Sequence, residues 1–289
     1  MLDPHSSTME PTSSTQGDGA APSAPPAEED EAVMSFLDHL EELRWTLIKG
    51  FSGILTTVIL TAFFSRWVVD TLLMGPTRSS FFMYRILGLD AENLELLNRT
   101  ITGQFFADIG TIVVVGLVIG SPIFVYYFWK FVEPALYPEE KSGLRFSTIF
   151  ATFFFLVGIL FGYCILTPLA LQFFAQYTIS DQILNQFDIM KYFSMITFWV
   201  LGTGLLFELP VVIYFLSKLG IVTPEFLRTQ RKYALLVVLT IGAFLTPPDP
   251  ISQVIVAVPL MLLYEGSIYI SVYVHWRRRK KLERQQAQA

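Results

Sequence analysis

Six runs free or nearly free of charge, Leu47–Phe64, Ile109–Trp129, Phe146–Thr167, Tyr192–Leu216, Tyr233–Thr246 and Ile251–Val274, alternate along the chain with more polar segments, the longest between the first two runs. About 20 mostly apolar residues are needed to cross about 30 Å of hydrocarbon, and within lipid such runs must be helices in order to satisfy their own backbone. The pattern therefore predicts an all-α integral membrane protein with six transmembrane helices. The fifth is the shortest: Tyr233 to Pro248 supplies 16 residues, about 24 Å at about 1.5 Å each. It is expected to span by thinning the bilayer locally.

A different periodicity precedes the first run. In "SFLDHLEELRWTLIKG", Phe36, Leu37, Leu40, Leu43 and Leu47 recur near helical spacing, and Ser35 with Asp38 three residues later fits a helix-starting capping box. This stretch reads as an amphipathic helix at the membrane surface, leading into the first span. Its polar face is acidic, with Asp38, Glu41 and Glu42 close together and Arg44 beside them. A helix seeking anionic lipid would be basic, so the face is either simply solvated or turned toward a cationic partner.

Composition agrees with the membrane class, since 53% of residues are hydrophobic and only 16% charged. Charge is unevenly placed. Seven of the 25 acids lie in residues 1–33, which hold no Lys or Arg and are rich in Ser, Thr, Pro, Ala and Gly. That segment has too little apolar surface to offset the entropy of ordering and is expected to be a disordered acidic tail without the features of a signal peptide. It precedes a membrane domain over 34–276 and a basic tail over 277–289. A single cysteine, Cys164, excludes an intramolecular disulfide.

Six spans put both termini on one side. With the N-terminus inside, 15 of the 20 Lys and Arg fall on the internal face, including Lys130, Lys141, Arg228 and the run Arg277–Lys281. The positive-inside rule then makes both termini cytoplasmic. On that side "FVEPALYPEEK" is an exception: the loop between the second and third spans carries Glu133, Glu139 and Glu140 against Lys141 alone.

Further features carry chemistry. Glu208, in "LLFELPVVIYFL", lies deep in the fourth run, where a carboxylate costs about 2.5–3.5 kcal/mol on insertion scales and each Leu or Phe returns only about 0.3–0.6. No other run offers a central cation, so Glu208 is expected to be protonated or to meet a polar group of another chain. Pro210 beside it should bend the helix. In "FLTPPDPISQ", prolines end one helix and preset the next, with Asp249 as the helix cap.

Enzyme motifs are lacking. There is no phosphate-binding loop, zinc-protease motif or nucleophile elbow, and His5, His39 and His275 all fall outside the runs, leaving no membrane-depth base for an intramembrane protease. One reading of these features is a secondary transporter or channel for a small solute or ion. Gly- and Pro-interrupted runs and a buried carboxylate favour it, whereas the lack of similarity between the two halves counts against it.

Four stretches in this order and spacing, "HLEELRWTL", "FVEPALYPEEK", "FELP" and "LTPPDPISQ", resemble the TatC family, the multi-spanning receptor of the twin-arginine protein translocase. The resemblance covers about residues 34–276 and implies a concave, glove-like bundle. It implies no enzymatic activity, cofactor, metal or nucleic acid. Folded precursors would be bound through twin-arginine signal peptides at the cytoplasmic face, and proton-motive force would drive export across the bacterial inner membrane. Carried over by position, the signal-peptide site comprises Glu42, Arg44, Phe131 and Glu140. Glu208 would contact single-span partners of the TatA/TatB type, Pro76, Pro210 and Asp249 would have structural or assembly roles, and the receptor would be a homo-oligomer.

Overall fold

The computed structural model describes the backbone of residues 27–132, 143–180, 182–183 and 185–287. The side chains at 27–40, 42–43, 129–132, 143–147, 281–282 and 285 lie outside this description. Residues 1–42 and 43–289 form separate units. The first is described only as the opening turns of α1 (Ala27–Ala62).

α1 begins at Ala27, not at Ser35, so Ser35 is no cap and the helix starts inside the segment read as a tail. The reason is visible in "AEEDEA". Alanine and glutamate are strong helix formers, and four consecutive acids near a helix N-terminus complement its positive end.

The first long connection folds as α2 (Ser65–Val68), a π turn (Val69–Leu73), a 3-10 turn (Gly75–Thr77) and α3 (Phe82–Leu87). Strand β1 (Leu96–Leu97) follows, before α4 (Gly103–Val132). β1 pairs in parallel with β2 (Phe187–Asp188), Leu96 opposite Phe187 and Leu97 opposite Asp188. Two residues per strand give no alternating pattern, so this contact was invisible in the hydrophobic periodicity.

α5 (Gly143–Phe161), a π turn (Gly162–Leu166) and α6 (Thr167–Gln176) make one continuous rod. The third run was expected to stop at Thr167, ahead of Pro168. The π turn removes that stop: Pro168 enters at the first turn of α6, where its missing N–H costs nothing, and the Thr167 hydroxyl donates to the Gly162 carbonyl at 2.9 Å. The Asn185 side-chain amide then donates to the carbonyls of Ala175 and Tyr177 at 3.2 and 2.9 Å, satisfying the end of the rod.

α7 (Ile189–Phe207) starts on an Asp188 cap, whose carboxylate accepts the Met190 and Lys191 N–H groups at 3.0 and 3.1 Å. After it come α8 (Leu209–Lys218), α9 (Pro224–Thr229), α10 (Arg231–Leu245) and α11 (Pro250–Gln286). α5 and α7 approach closely because Gly158 and Gly204 face each other across the interface. Between them the buried Thr203 hydroxyl lies 2.8 Å from the Gly158 carbonyl and 2.7 Å from that of Trp199. α8 is pinned to α11 by the Ser217 hydroxyl donating to Ser271 at 2.8 Å, both fully buried.

Among the described residues, five helical rods are long and apolar enough to cross a membrane: Arg44–Ala62, Gly103–Phe128, Thr148–Gln176, Ile189–Lys218 and Pro250–Lys280. The chain is an all-helical membrane protein apart from the β1–β2 contact. α10, with 15 residues, is shorter than the other rods; at about 1.5 Å each it reaches about 22 Å. His275, expected beyond the sixth span, lies on the unbroken α11 rod, where its Nδ1 is 3.0 Å from the Ser271 carbonyl.

Candidate functional site

The rod from Ile189 to Lys218 breaks at one residue, Glu208, which lies between α7 and α8 with ψ near −6°. Pro210 is the cause. It has no N–H for the Leu206 carbonyl, and its ring prevents an ordinary helical turn there. The expected bend is thus a one-residue break, with Pro210 buried in the first turn of α8. The Glu208 N–H still donates to the Leu205 carbonyl at 3.2 Å, and its own carbonyl accepts from Val211 and Val212 at 2.9 and 3.0 Å, so the backbone of Glu208 itself stays satisfied.

Its side chain does not. Glu208 Oε1 is buried without a hydrogen-bond partner among the described residues. Phe207 beside it is buried with Trp199, Leu245, Val256 and Leu260 in the main apolar cluster, which fixes the break against α10 and α11. A carboxyl group in such surroundings is stable only if it is neutral or met by a polar group.

Asp249 caps α11 as expected: its Oδ2 accepts the Ser252 N–H at 2.7 Å, while its Oδ1 is buried without a partner. Pro76 is buried, and its carbonyl accepts the Tyr84 hydroxyl at 2.6 Å. Burial pushes the Tyr84 phenol up to about 12, so it remains a donor at any ordinary pH. Two further hydroxyls reach the same segment, Tyr163 to the Leu72 carbonyl at 2.8 Å and Tyr192 to that of Leu73 at 2.6 Å. Three tyrosines from three elements thus hold residues 72–76 against α5–α6 and α7. Sequence reading missed this clamp and the ion pair of Arg231 with Glu265, 2.7 Å apart, which ties α10 to α11. The only sequence signal for that pair was the charge of Glu265 within an apolar run.

The proposed signal-peptide residues are less fully seen. Arg44 is exposed on α1, Glu42 lies on α1 and Phe131 in the last turn of α4, with both of these side chains outside the description. Glu140, with Glu133 and Glu139, falls in the 133–142 segment outside the described residues. Elsewhere, an apolar groove of about 860 Å³ opens between α1, α4, α5 and α7, lined by residues such as Leu60, Trp67, Val115, Ile159 and Tyr163. Among the described residues no cluster of His, Cys, Asp or Glu is arranged to hold a metal ion.

Residues 38–259 match the model of the Sec-independent protein translocase protein TatC. A TatC of Blattabacterium is 37% identical over 255 residues, covering 83% of this chain and 96% of its own length. That of Aquifex aeolicus is 34% identical over 255 residues, covering 88% of this chain and 100% of its own. A crystal structure of the twin-arginine translocase receptor TatC superposes with a TM-score of 0.64 at 33% identity, covering 82% of this chain and 99% of the other. Matched along nearly the whole membrane region, with the break at Glu208 and the cap at Asp249 inside the matched stretch, the chain belongs to the TatC family.

Proposed function

We propose that the chain is the signal-peptide receptor of a twin-arginine translocase. Membership of the TatC family carries this reading, since the match over 38–259 includes every candidate site residue. The proposed arrangement has six spans, with α10 the short fifth, and both termini cytoplasmic in a bacterial inner membrane. The acidic residues of α1 and of the 131–141 loop then share one face. A twin-arginine motif presents two planar guanidinium groups, which pair best with carboxylates through forked hydrogen bonds. Glu42 and Glu140 supply carboxylates, Arg44 belongs to the same site beside Glu42 in the chain, and Phe131 shapes the floor. The groove between α1, α4, α5 and α7 suits the apolar stretch of about 7–15 residues that a signal peptide carries.

Glu208 belongs to a second step. Its unpartnered oxygen at a helix break supports a contact with a polar group of a TatA/TatB-type single-span protein, gathered after the precursor binds and before proton-motive force drives export. Pro76, Pro210 and Asp249 hold the fold that presents these sites, and several copies of the chain form the receptor. The test is Glu140→Lys: cross-linking of a twin-arginine signal peptide to the membrane-inserted chain is expected to disappear. Unchanged cross-linking at normal expression overturns the site.

A further inference from the structure

α11 has two faces, and only one is accounted for by the fold. Its inner face, through Tyr264, Ser267, Ile268 and Ser271, is buried against α8 and α9. The same face continues upward: Tyr264 donates to the Leu227 carbonyl at 2.7 Å, and Arg278 lies beside Gly220. Glu225 on α9 is held below the usual carboxylate range, chiefly by its own backbone N–H, then by the Thr223 hydroxyl and last by the nearness of His275 and Arg279. His275, Arg278 and Arg279 thus turn toward α9 and the turn at Gly220, away from the outer face.

The outer face follows the cross-section of a membrane leaflet. Leu262, Gly266, Tyr269, Tyr273 and Trp276 are exposed at helical spacing, followed on the same side by Arg277, Lys280 and Arg284, also exposed. At Gly266 an added Cβ would meet nothing within 4 Å, so the face has a notch between Leu262 and Tyr269. Tyr273 and Trp276 lie with ring centroids 6.2 Å apart, and Lys280 Nζ sits 5.0 Å above the Trp276 ring. Aromatic rings and folded-back lysines of this kind mark the headgroup level. From Gly266 to Arg277 the helix rises about 16 Å, close to half of the roughly 30 Å hydrocarbon core. A chain hanging from a phosphate at Arg277 therefore ends at the notch.

We propose that this outer face of α11 binds an anionic phospholipid, its phosphate held by Arg277, Lys280 and Arg284 and one acyl chain lying over Gly266. Charge complementarity decides the occupant. Three bases along one side of the helix, against the exposed Glu283 beside Arg284, leave a net positive face that fits a phosphate ester, whereas a neighbouring apolar helix would use the notch and leave them idle. The assignment rests on α11 spanning the membrane and holds whichever side its end faces.

The experiment is native mass spectrometry of the full chain in micelles with equal phosphatidylglycerol and phosphatidylcholine. Retention of phosphatidylglycerol is expected, undisturbed by about tenfold excess inorganic phosphate over lipid, which would displace it if the site were built for the free ion. Replacing all three bases (Arg277→Gln, Lys280→Gln, Arg284→Gln) should weaken retention on the order of 100-fold, about fivefold for each base removed. Arg278→Gln, on the inner face, should leave it unchanged. No preference for phosphatidylglycerol overturns the proposal, as does an Arg278→Gln loss equal to that of Arg277→Gln, which would reduce the effect to bulk charge. If Gly266→Cys forms disulfide-linked dimers while that preference is absent, the notch belongs to a second copy.

Discussion

Gly158→Ala tests whether close approach of α5 and α7 sets the stability of the membrane domain. A Cβ at 158 would stand 2.6 Å from the Thr203 carbonyl oxygen, 2.8 Å from Gly204 Cα and 2.8 Å from Phe207 Cβ, where ordinary contact begins at 3.4 Å. None of these atoms is the far end of a flexible side chain, so the helices must part by about 0.8 Å. That would stretch the 2.8 Å reach from the Thr203 hydroxyl to Gly158 beyond hydrogen-bonding distance. Overpacking costs about 1–3 kcal/mol and an interhelical hydrogen bond in a membrane about 0.6, against about 1 gained from replacing a helical glycine. The net loss is about 0.6–2.6 kcal/mol. Gly242→Ala separates geometry from propensity, since its Cβ would meet Gln253 Cγ at an ordinary 3.7 Å. It should be neutral or stabilising by up to about 1 kcal/mol. Both are measured by unfolding in mixed micelles, followed by tryptophan fluorescence. The reasoning fails if Gly158→Ala unfolds with the parent chain, or if Gly242→Ala falls as far.

Three other perturbations probe distinct parts of the molecule. Tyr192→Phe takes the hydroxyl from the Leu73 carbonyl and should cost about 1–3 kcal/mol; hydrogen exchange at Met74 and Thr77 should quicken, and unchanged exchange would remove the clamp. The Asp188 carboxyl is held below its usual range, first by the Lys191 N–H and then by those of Arg99 and Met190. A lowered folded-state value means its contribution is complete above the ordinary Asp range near 3.9 and fades as pH falls through the folded value. Amide protection at Met190 and Lys191 should thus decline on acidification, while Asp188→Asn, which cannot ionise, should give a flat profile; equal acid dependence in both refutes the assignment. Glu208→Ala should leave signal-peptide cross-linking intact and weaken association with single-span partners on native gels, and normal association would separate Glu208 from assembly.

What the sequence disclosed follows from which physical quantities belong to a residue type and which belong to a pair. A carboxylate at membrane depth is costly by position alone, so Glu208 stood out before any partner was known, and Pro210 carried its own reason for the break. Asp249 was equally legible, because capping is local. Helix ends were less so: Pro168 signals a stop, yet a π turn and the Thr167 hydroxyl turn it into a start. The tyrosine clamp left no trace. Its acceptors are backbone carbonyls, which every residue carries, and Tyr163 and Tyr192 find theirs 91 and 119 positions away. The outer face of α11 lies between these cases. Its basic run was plain in the sequence and was absorbed into the topology argument, because positive-inside charge explains any cluster of Lys and Arg. Only the packing of α11 on α8 and α9, toward which Arg278, Arg279 and His275 turn, separates those bases from Arg277, Lys280 and Arg284 on the outer face and leaves the latter a ligand to find.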